Sequence, residues 1–223
     1  TLFRSVLGRL NQLMFILTII LTLILCLALF EGTYLNICPI LGSGVVNILK
    51  ASKQSGFAYG GIEILFLIYP FVTEKTKIMK SSIKSVLITA IIYTWITFIT
   101  IYYIGIDIIT KMNWSVNMVA KTIEIPIINN FRFVFLVIWA LIIIKTISNN
   151  YFAVALILND FFKKTEIKKI IYIIYPVIVY LALKYNNLAT TTYFLNYIIP
   201  KYVLFNIAYV TIITLIIYLK EDI

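Results

Sequence analysis

Apolar stretches that are nearly free of charge recur along the whole chain, and they fix the solvent in which it folds. The first of them, 13–30, contains no charged residue, and across the chain only 13% of residues are charged while 62% are hydrophobic. Soluble globular chains are about a quarter charged. So few charges cannot cover a surface that faces water, and stretches of this length form helices when lipid surrounds them. The sequence therefore predicts an all-α integral membrane protein.

Six stretches are long enough to cross a bilayer, if about 20 residues make a full span and shorter stretches are flanked by long cationic side chains. The predicted transmembrane helices cover residues 13–30, 57–72, 85–106, 133–158, 170–183 and 202–219. No soluble domain, linker or internal repeat is evident between them. Residues 1–223 are therefore predicted to form a single transmembrane domain.

Lysines cluster in two short connections between these stretches, 75–84 and 163–169. Short loops that are rich in lysine and arginine stay on the cytoplasmic side of a membrane. With six spans between the ends, this rule places both ends of the chain in the cytoplasm. The net charge of +10 is then a property of the membrane flanks, and no nucleic-acid partner is predicted.

The sequence offers few groups for catalysis or metal binding. It has no histidine, and its two cysteines, Cys26 and Cys38, do not form a CxxC motif. Haem, zinc and iron–sulfur sites depend on such ligands, and a hydrolytic site needs a nucleophile with a base beside it. The chain is therefore predicted to have no catalytic residues, no metal site and no cofactor, and not to be an enzyme.

Glu63 is a carboxylate inside the second predicted span, and Gly60 and Gly61 come just before it. Adjacent glycines weaken a helix, and peptide groups freed by a break are tolerated in a membrane only where protein or a water-filled cavity satisfies them. A short, glycine-interrupted span indicates a transporter-type binding site. The alternative is that the glycines allow close helix packing and that Glu63 makes one structural hydrogen bond. The residues alone leave both interpretations open.

Lys145 lies at the middle of the fourth predicted span, too deep for its side chain to reach the membrane surface comfortably. Ser148 and Asn149 follow it at i+3 and i+4, so the three side chains share one face of a helix. Charged residues at such depth normally face a cavity or a partner. The pattern predicts a functional cavity, and the alternative is a structural tie between the lysine and a carboxylate or carbonyl group.

One stretch of the chain resembles a known family. Residues 56–70 read Gly-Phe-Ala-Tyr-Gly-Gly-Ile-Glu-Ile-Leu-Phe-Leu-Ile-Tyr-Pro, and basic residues follow. This run resembles the sixth helix of the amino acid–polyamine–organocation transporters, which carries a Gly-aromatic-Glu signature and ends in a cationic loop. It is more similar to the spore germination permease family, the B subunits of nutrient germinant receptors, which typically show Gly-Ile-Glu and then Tyr-Pro-Phe. The stretch 131–139 resembles the eighth helix of that family.

The resemblance implies a leucine-transporter-like fold of ten helices in two inverted five-helix repeats. The six predicted spans would supply its fifth helix and its second repeat, so we expect the chain to be the C-terminal portion of a longer permease. The one discontinuous helix would be broken at Tyr59, Gly60 and Gly61, with Glu63 just beyond.

The resemblance also suggests a role for the buried lysine. Some proton-coupled relatives hold a membrane-embedded lysine in place of a coupling sodium ion, although on a different helix. By extension, we treat Lys145, with Ser148 and Asn149, as a hypothetical coupling or gating group.

Membership would make the chain a membrane subunit of a spore nutrient germinant receptor, in the spore inner membrane. It would bind a small nutrient such as an amino acid at the broken helix, against an aromatic wall from Tyr59 or Trp139, and signal to other receptor subunits. The first alternative is a proton-coupled amino acid transporter of the same fold, and a less favoured one is a proton-conducting subunit of a respiratory complex. The sequence leaves open which nutrient binds, which ion is coupled, and whether Glu63 and Lys145 pair.

Overall fold

The computed structural model describes residues 2–40, 42–125, 130–162, 166–185 and 187–221, which are mainly helical and contain no β-strand. The predicted all-helical class is therefore confirmed for this part of the chain. The α-helices are α1 (Leu2–Leu25), α2 (Gly44–Ser55), α3 (Ile64–Ile68), α4 (Lys75–Ile104), α5 (Ile106–Ile109), α6 (Ser115–Thr122), α7 (Phe131–Phe161), α8 (Ile167–Leu183) and α9 (Leu188–Glu221). Short 3₁₀ helices cover Cys26–Phe30, Tyr34–Ile37, Gly56–Tyr59 and Tyr69–Phe71.

Four helical segments among the described residues are long and apolar enough to cross a membrane, and they contain most or all of four predicted spans. They are Ser5–Phe30, Lys75–Ile104, Phe131–Phe161 and Leu188–Leu219. The other two predicted spans are not confirmed. Residues 57–72 are divided between 3₁₀ turns and the five-residue α3, and α8 has 17 residues, which is about 26 Å of helix against a hydrocarbon core of about 30 Å. The six-helix count and the ten-helix arrangement stay predictions.

The length and the ends of α4 follow from its sequence. Its 30 residues make a helix about 45 Å long, so the exposed, lysine-rich turns at 75–84 extend beyond a hydrocarbon core of about 30 Å. The helix stops at Gly105, whose φ of +89° is a conformation that glycine adopts without strain. The second predicted basic cluster is only partly visible, since Lys163 and Lys164 lie outside the described residues.

The loop that follows α1 is fastened to the end of α4. The Asn36 side-chain amide donates hydrogen bonds to the carbonyl oxygens of Tyr102 and Tyr103, at 2.9 and 3.1 Å. The backbone N–H of Thr33 donates to the Tyr102 carbonyl as well, at 3.3 Å. These bonds satisfy carbonyl groups that have no partner within the last turn of a helix. They also bring the ends of α1 and α4 side by side, so the two helices run in the same direction.

The chain forms two compact units. The first unit contains residues up to Gly42 together with Glu74–Tyr151. Its core is a cluster of buried side chains from α1 and the 3₁₀ helix after it, from α4, from α6 and the residue after it, and from the start of α7. These are Leu21, Leu25, Ala28, Ile99, Val119, Ala120, Ile123, Phe131 and Phe135. Leu21, Leu25 and Ala28 are spaced by four and three residues, so one face of that segment packs inward.

The second unit contains Ser43–Thr73 together with the chain from Phe152 onward. Few side chains are buried among its described residues, and those that are belong to the end of α7 and to α8: Ala153, Ala155, Ile170 and Ile174. Gly56 lies so close to α9 that an added Cβ would be 3.3 Å from both methyl groups of Val203. Most of the large apolar side chains of α9 are exposed, as expected of a helix that is apolar on all sides and faces lipid.

Candidate functional site

The backbone of the second unit leaves the helical path at the two adjacent glycines. A turn at residues 60–63 connects the 3₁₀ helix Gly56–Tyr59 to α3. The φ of Gly61 is +101°, a value that residues with a side chain rarely adopt because Cβ clashes with the backbone. The turn is closed by backbone bonds from Ile64 N–H to the Gly61 carbonyl at 3.1 Å and from Phe66 N–H to the Glu63 carbonyl at 3.1 Å.

Glu63 stabilises this turn with its own side chain. Its Oε2 atom accepts a hydrogen bond from the Gly61 backbone N–H at 3.1 Å, and the side chain is half-buried. This is the single structural hydrogen bond predicted for Glu63 by the alternative interpretation, in which the glycines only allow close helix packing. A carboxylate has two oxygens with about four acceptor positions, and this bond occupies one of them, so acceptor capacity remains beside the turn.

The space next to Gly61 is open. Apart from Gly61 and its two chain neighbours, no atom of the described part of the chain lies within 4 Å of the position that a Gly61 Cβ would take. The glycine is therefore required by its backbone conformation and not by a close neighbour. A backbone that is bare on one side can be approached closely by another molecule, which is a common use of glycine at ligand sites.

Lys145, Ser148 and Asn149 lie on α7 in the first unit. Lys145 is half-buried near the middle of the helix, where insertion scales put the cost of a charged side chain at about 2.5–3.5 kcal/mol. The Ser148 hydroxyl donates to the Ile144 carbonyl of its own helix at 2.8 Å, a common local bond for serine in helices. Of the three side chains, Asn149 is the one with a hydrogen bond to another element.

Asn149 exchanges two hydrogen bonds with Asn11 of α1. The Asn11 Nδ2 atom donates to the Asn149 Oδ1 atom at 3.1 Å, and the Asn149 Nδ2 atom donates to the Asn11 Oδ1 atom at 2.8 Å. At the other ends of these helices, Leu25 and Phe135 belong to the same buried cluster. The pairing of Asn11 with Asn149 and the shared cluster of Leu25 and Phe135 fit an antiparallel arrangement of α1 and α7. The amide pair joins the two helices inside the apolar region.

Sequence reasoning missed Asn11. The residue precedes the predicted span 13–30, whereas α1 begins at Leu2 and the membrane-crossing candidate at Ser5. The available signal was a polar amide within one turn of an apolar run. Its partner is 138 residues away, however, so nothing local in the sequence distinguishes it from an interfacial asparagine.

Trp139 packs among aromatic side chains of the first unit. Its ring meets the Trp114 ring edge-to-face, with centroids 5.0 Å apart and an interplanar angle of 79°. The Phe135 ring is 6.2 Å from it. Such contacts stabilise the packing of α7, and the predicted contact of Trp139 with a nutrient stays a prediction.

The predicted site residues thus fall into two groups. Tyr59, Gly60, Gly61 and Glu63 belong to the second unit, and Trp139, Lys145, Ser148 and Asn149 belong to the first. The first group lies in or beside one turn. In the second group Lys145, Ser148 and Asn149 share one face of α7, and Trp139 lies on a different side of that helix. Within the described residues, no group of three or more Cys, Asp and Glu side chains is placed to hold a metal ion.

Comparisons with known proteins agree on one family. A family model described as spore germination protein matches residues 3–191. Spore germination protein GerQB of Bacillus cereus is 27% identical over 113 residues, which are 51% of this chain and 31% of that protein. Spore germination protein YndE of Bacillus subtilis (strain 168) is 26% identical over 166 residues, which are 70% of this chain and 44% of that protein. The chain therefore spans less than half the length of either relative. No solved structure matches it.

Proposed function

The chain belongs to the spore germination protein family, and from this premise we propose that it is part of the membrane subunit of a nutrient germinant receptor. Four apolar helices and the family support a membrane location. We place the protein in the spore inner membrane, with both chain ends on the cytoplasmic side and with other receptor subunits as partners. The nutrient is proposed to be an amino acid.

The observation that carries this proposal is the turn at Gly61. It interrupts an otherwise apolar, helical stretch, holds glycine at a positive φ, and has open space on the side where a side chain would be. Peptide groups freed by such an interruption bind the charged ends of small solutes in membrane proteins. An amino acid has both a carboxylate and an ammonium group, so it can pair with both kinds of backbone group. Those of Gly61 itself already have local partners, Glu63 and the Ile64 N–H.

The carboxylate of Glu63 gives this segment its charge preference. Because one acceptor position is held by the Gly61 N–H, the others are available to the ammonium group of the nutrient. Tyr59, at the start of the turn, supplies an aromatic neighbour for the rest of the ligand. Binding then shifts the population between two conformations of the protein, and the partner subunits respond to that shift.

Lys145, Ser148 and Asn149 are proposed to couple or gate this response. A charged group at this depth is costly when it is not paired. The energy of a conformation therefore depends on what lies beside the lysine. Any change that brings a partner to Lys145 or removes one will favour one conformation over the other.

Glu63→Gln tests the nutrient site, because glutamine keeps an oxygen that can accept the Gly61 N–H but loses the charge. In spores that carry the change in the full-length protein, we expect the half-maximal nutrient concentration for germination to rise about tenfold or more, the effect of losing one charged hydrogen bond. Glu63→Ala removes both functions and should be worse. Glu74→Gln, at an exposed carboxylate that pairs with Lys77, is the matched control and should leave the response unchanged.

These comparisons are made at equal amounts of protein in the spore membrane. A normal response in Glu63→Gln spores, together with a defect in Glu63→Ala spores, would give Glu63 a purely structural role and would contradict the proposed site.

Uptake measurements separate a receptor from a transporter. With the full-length protein in proteoliposomes, we expect radiolabelled amino acids not to accumulate inside the vesicles when a proton gradient is imposed. A receptor needs ligand affinity but no net flux. Accumulation that collapses with the gradient would instead assign the protein as a proton-coupled amino acid transporter.

A further inference from the structure

Lys145 is a cation near the middle of α7, and the described residues give it no counter-charge. Its side chain is half-buried near the middle of α7. Within the described ranges, no ion pair or hydrogen bond joins its ammonium group to another residue. A charged group at membrane depth normally has a partner. The structure therefore raises the question of which chemical group fills this role.

The residues one turn further along α7 are rich in hydrogen-bond donors. In the reciprocal Asn11–Asn149 pair, each amide uses one N–H and one acceptor position, and each keeps a second N–H. The Lys145 ammonium adds three more N–H groups. The Ser148 hydroxyl already donates its hydrogen bond to the Ile144 carbonyl. The face as a whole offers more donors than acceptors and carries a positive charge.

These donors are also held in place. Two hydrogen bonds between the same two side chains fix both amides in one orientation. Lys145 stands four residues before Asn149, so it projects on the same side of α7. A site whose groups are fixed before the ligand arrives loses less conformational entropy on binding.

We propose that Lys145 and the Asn11–Asn149 amide pair form a binding site for a carboxylate group within the first unit. A carboxylate is planar, negatively charged and purely an acceptor, with two oxygens that can be shared between the ammonium and a neighbouring amide N–H. It supplies the missing counter-charge and leaves the amide pair intact. The site shares no residue with the proposed nutrient turn at Gly61, and it uses Lys145 and Asn149, two of the residues proposed above to couple or gate the response.

Thermal unfolding of the full-length protein in lipid nanodiscs, followed by tryptophan fluorescence, tests the site with sodium acetate as the probe. The unfolding midpoint of the wild type should rise saturably with acetate, because a ligand that binds the folded state stabilises it. Acetamide, which has nearly the same shape but no charge, should give no such rise. Sodium chloride keeps the ionic strength constant through the titration, and chloride should not stabilise the protein as acetate does.

Variants assign the effect to the proposed residues. Lys145→Met should weaken acetate binding about tenfold or more, the effect expected of a charged hydrogen bond, and Asn11→Ala about two- to tenfold. Lys145→Arg keeps the charge and should retain most of the binding. Lys111→Met removes an exposed lysine of the same unit and should bind acetate like the wild type.

The measured quantity is the dependence of the unfolding midpoint on acetate concentration. A variant that only changes the midpoint in the absence of acetate therefore does not obscure the result. The proposal is overturned if the wild type does not respond to acetate or if Lys145→Met binds it with wild-type affinity. It is also overturned if chloride gives an equal, Lys145-dependent rise, since the site would then be a general anion site. None of these outcomes depends on the germination response, so they are separate from the test of the nutrient turn.

Discussion

Replacing Gly61 by leucine is expected to abolish the nutrient response of spores that carry the variant in the full-length protein. The φ of Gly61 is +101°, and a residue with a Cβ pays about 1–3 kcal/mol to be held in such a conformation. The turn would move toward an ordinary helical path, and the leucine side chain would fill the open space beside the backbone. Dose–response curves of germination, at matched protein levels in the spore membrane, measure the loss.

Smaller substitutions separate the effect of the backbone conformation at Gly61 from the effect of filling the open space beside it. Gly61→Ala adds a Cβ that meets no described atom within 4 Å, so any defect must come from the backbone. Gly61→Asn should be milder than Gly61→Ala, because asparagine tolerates positive φ better than alanine does. Gly8→Ala, in α1 and also without a neighbour within 4 Å, should respond like the wild type. A normal response in Gly61→Leu spores would remove this turn from the mechanism.

Phe131→Ala is expected to destabilise the first unit strongly. Its side chain is fully buried at the start of α7 and belongs to the central apolar cluster. Phe→Ala changes in soluble cores cost about 3–5 kcal/mol. We expect about 3 kcal/mol here, at the low end, because lipid rather than water is the alternative environment and chiefly the packing contribution is lost.

The matched control lies two residues away. Phe133 is 64% exposed, so Phe133→Ala removes the same atoms from a surface that faces outward and should change stability by less than about 0.5 kcal/mol. Unfolding of the full-length protein by titration with a denaturing detergent gives both free energies. Equal losses for the two variants would mean that the cluster around Phe131 does not stabilise the first unit.

The sequence was most informative where a single physical effect decides the structure. Long uncharged stretches form helices in lipid because the backbone has no other donors or acceptors there, and four predicted spans coincide with long apolar helices. The end of α4 was also predicted closely, at 106 against Ile104, although the predicted span runs through Gly105, where the helix stops. The predicted start lies ten residues after the first residue of α4, because hydropathy marks only the part of a helix that lies inside the membrane and this helix continues beyond it.

Other features depend on short-range hydrogen bonds that a hydropathy pattern does not report, such as the one from the Thr190 N–H to the Asn187 side chain at the start of α9. The start of α9 at Leu188, 14 residues before the predicted span at 202, lies in polar and tyrosine-rich sequence that hydropathy does not mark as a helix. For Glu63, the sequence supported two interpretations equally. The bond to the Gly61 N–H shows a local stabilising role that only coordinates could reveal.

Because Asn36 is hydrogen-bonded to the last turn of α4, the end of this helix depends less on the lipid and water around it. Carbonyl groups at the end of a membrane helix ordinarily take their hydrogen bonds from headgroups or interfacial water, so the helix end is sensitive to which phospholipids surround it. Here the protein supplies those donors itself through Asn36 and Thr33. The end of α4 should therefore keep its shape as the phospholipid mixture or the water content at the membrane surface changes.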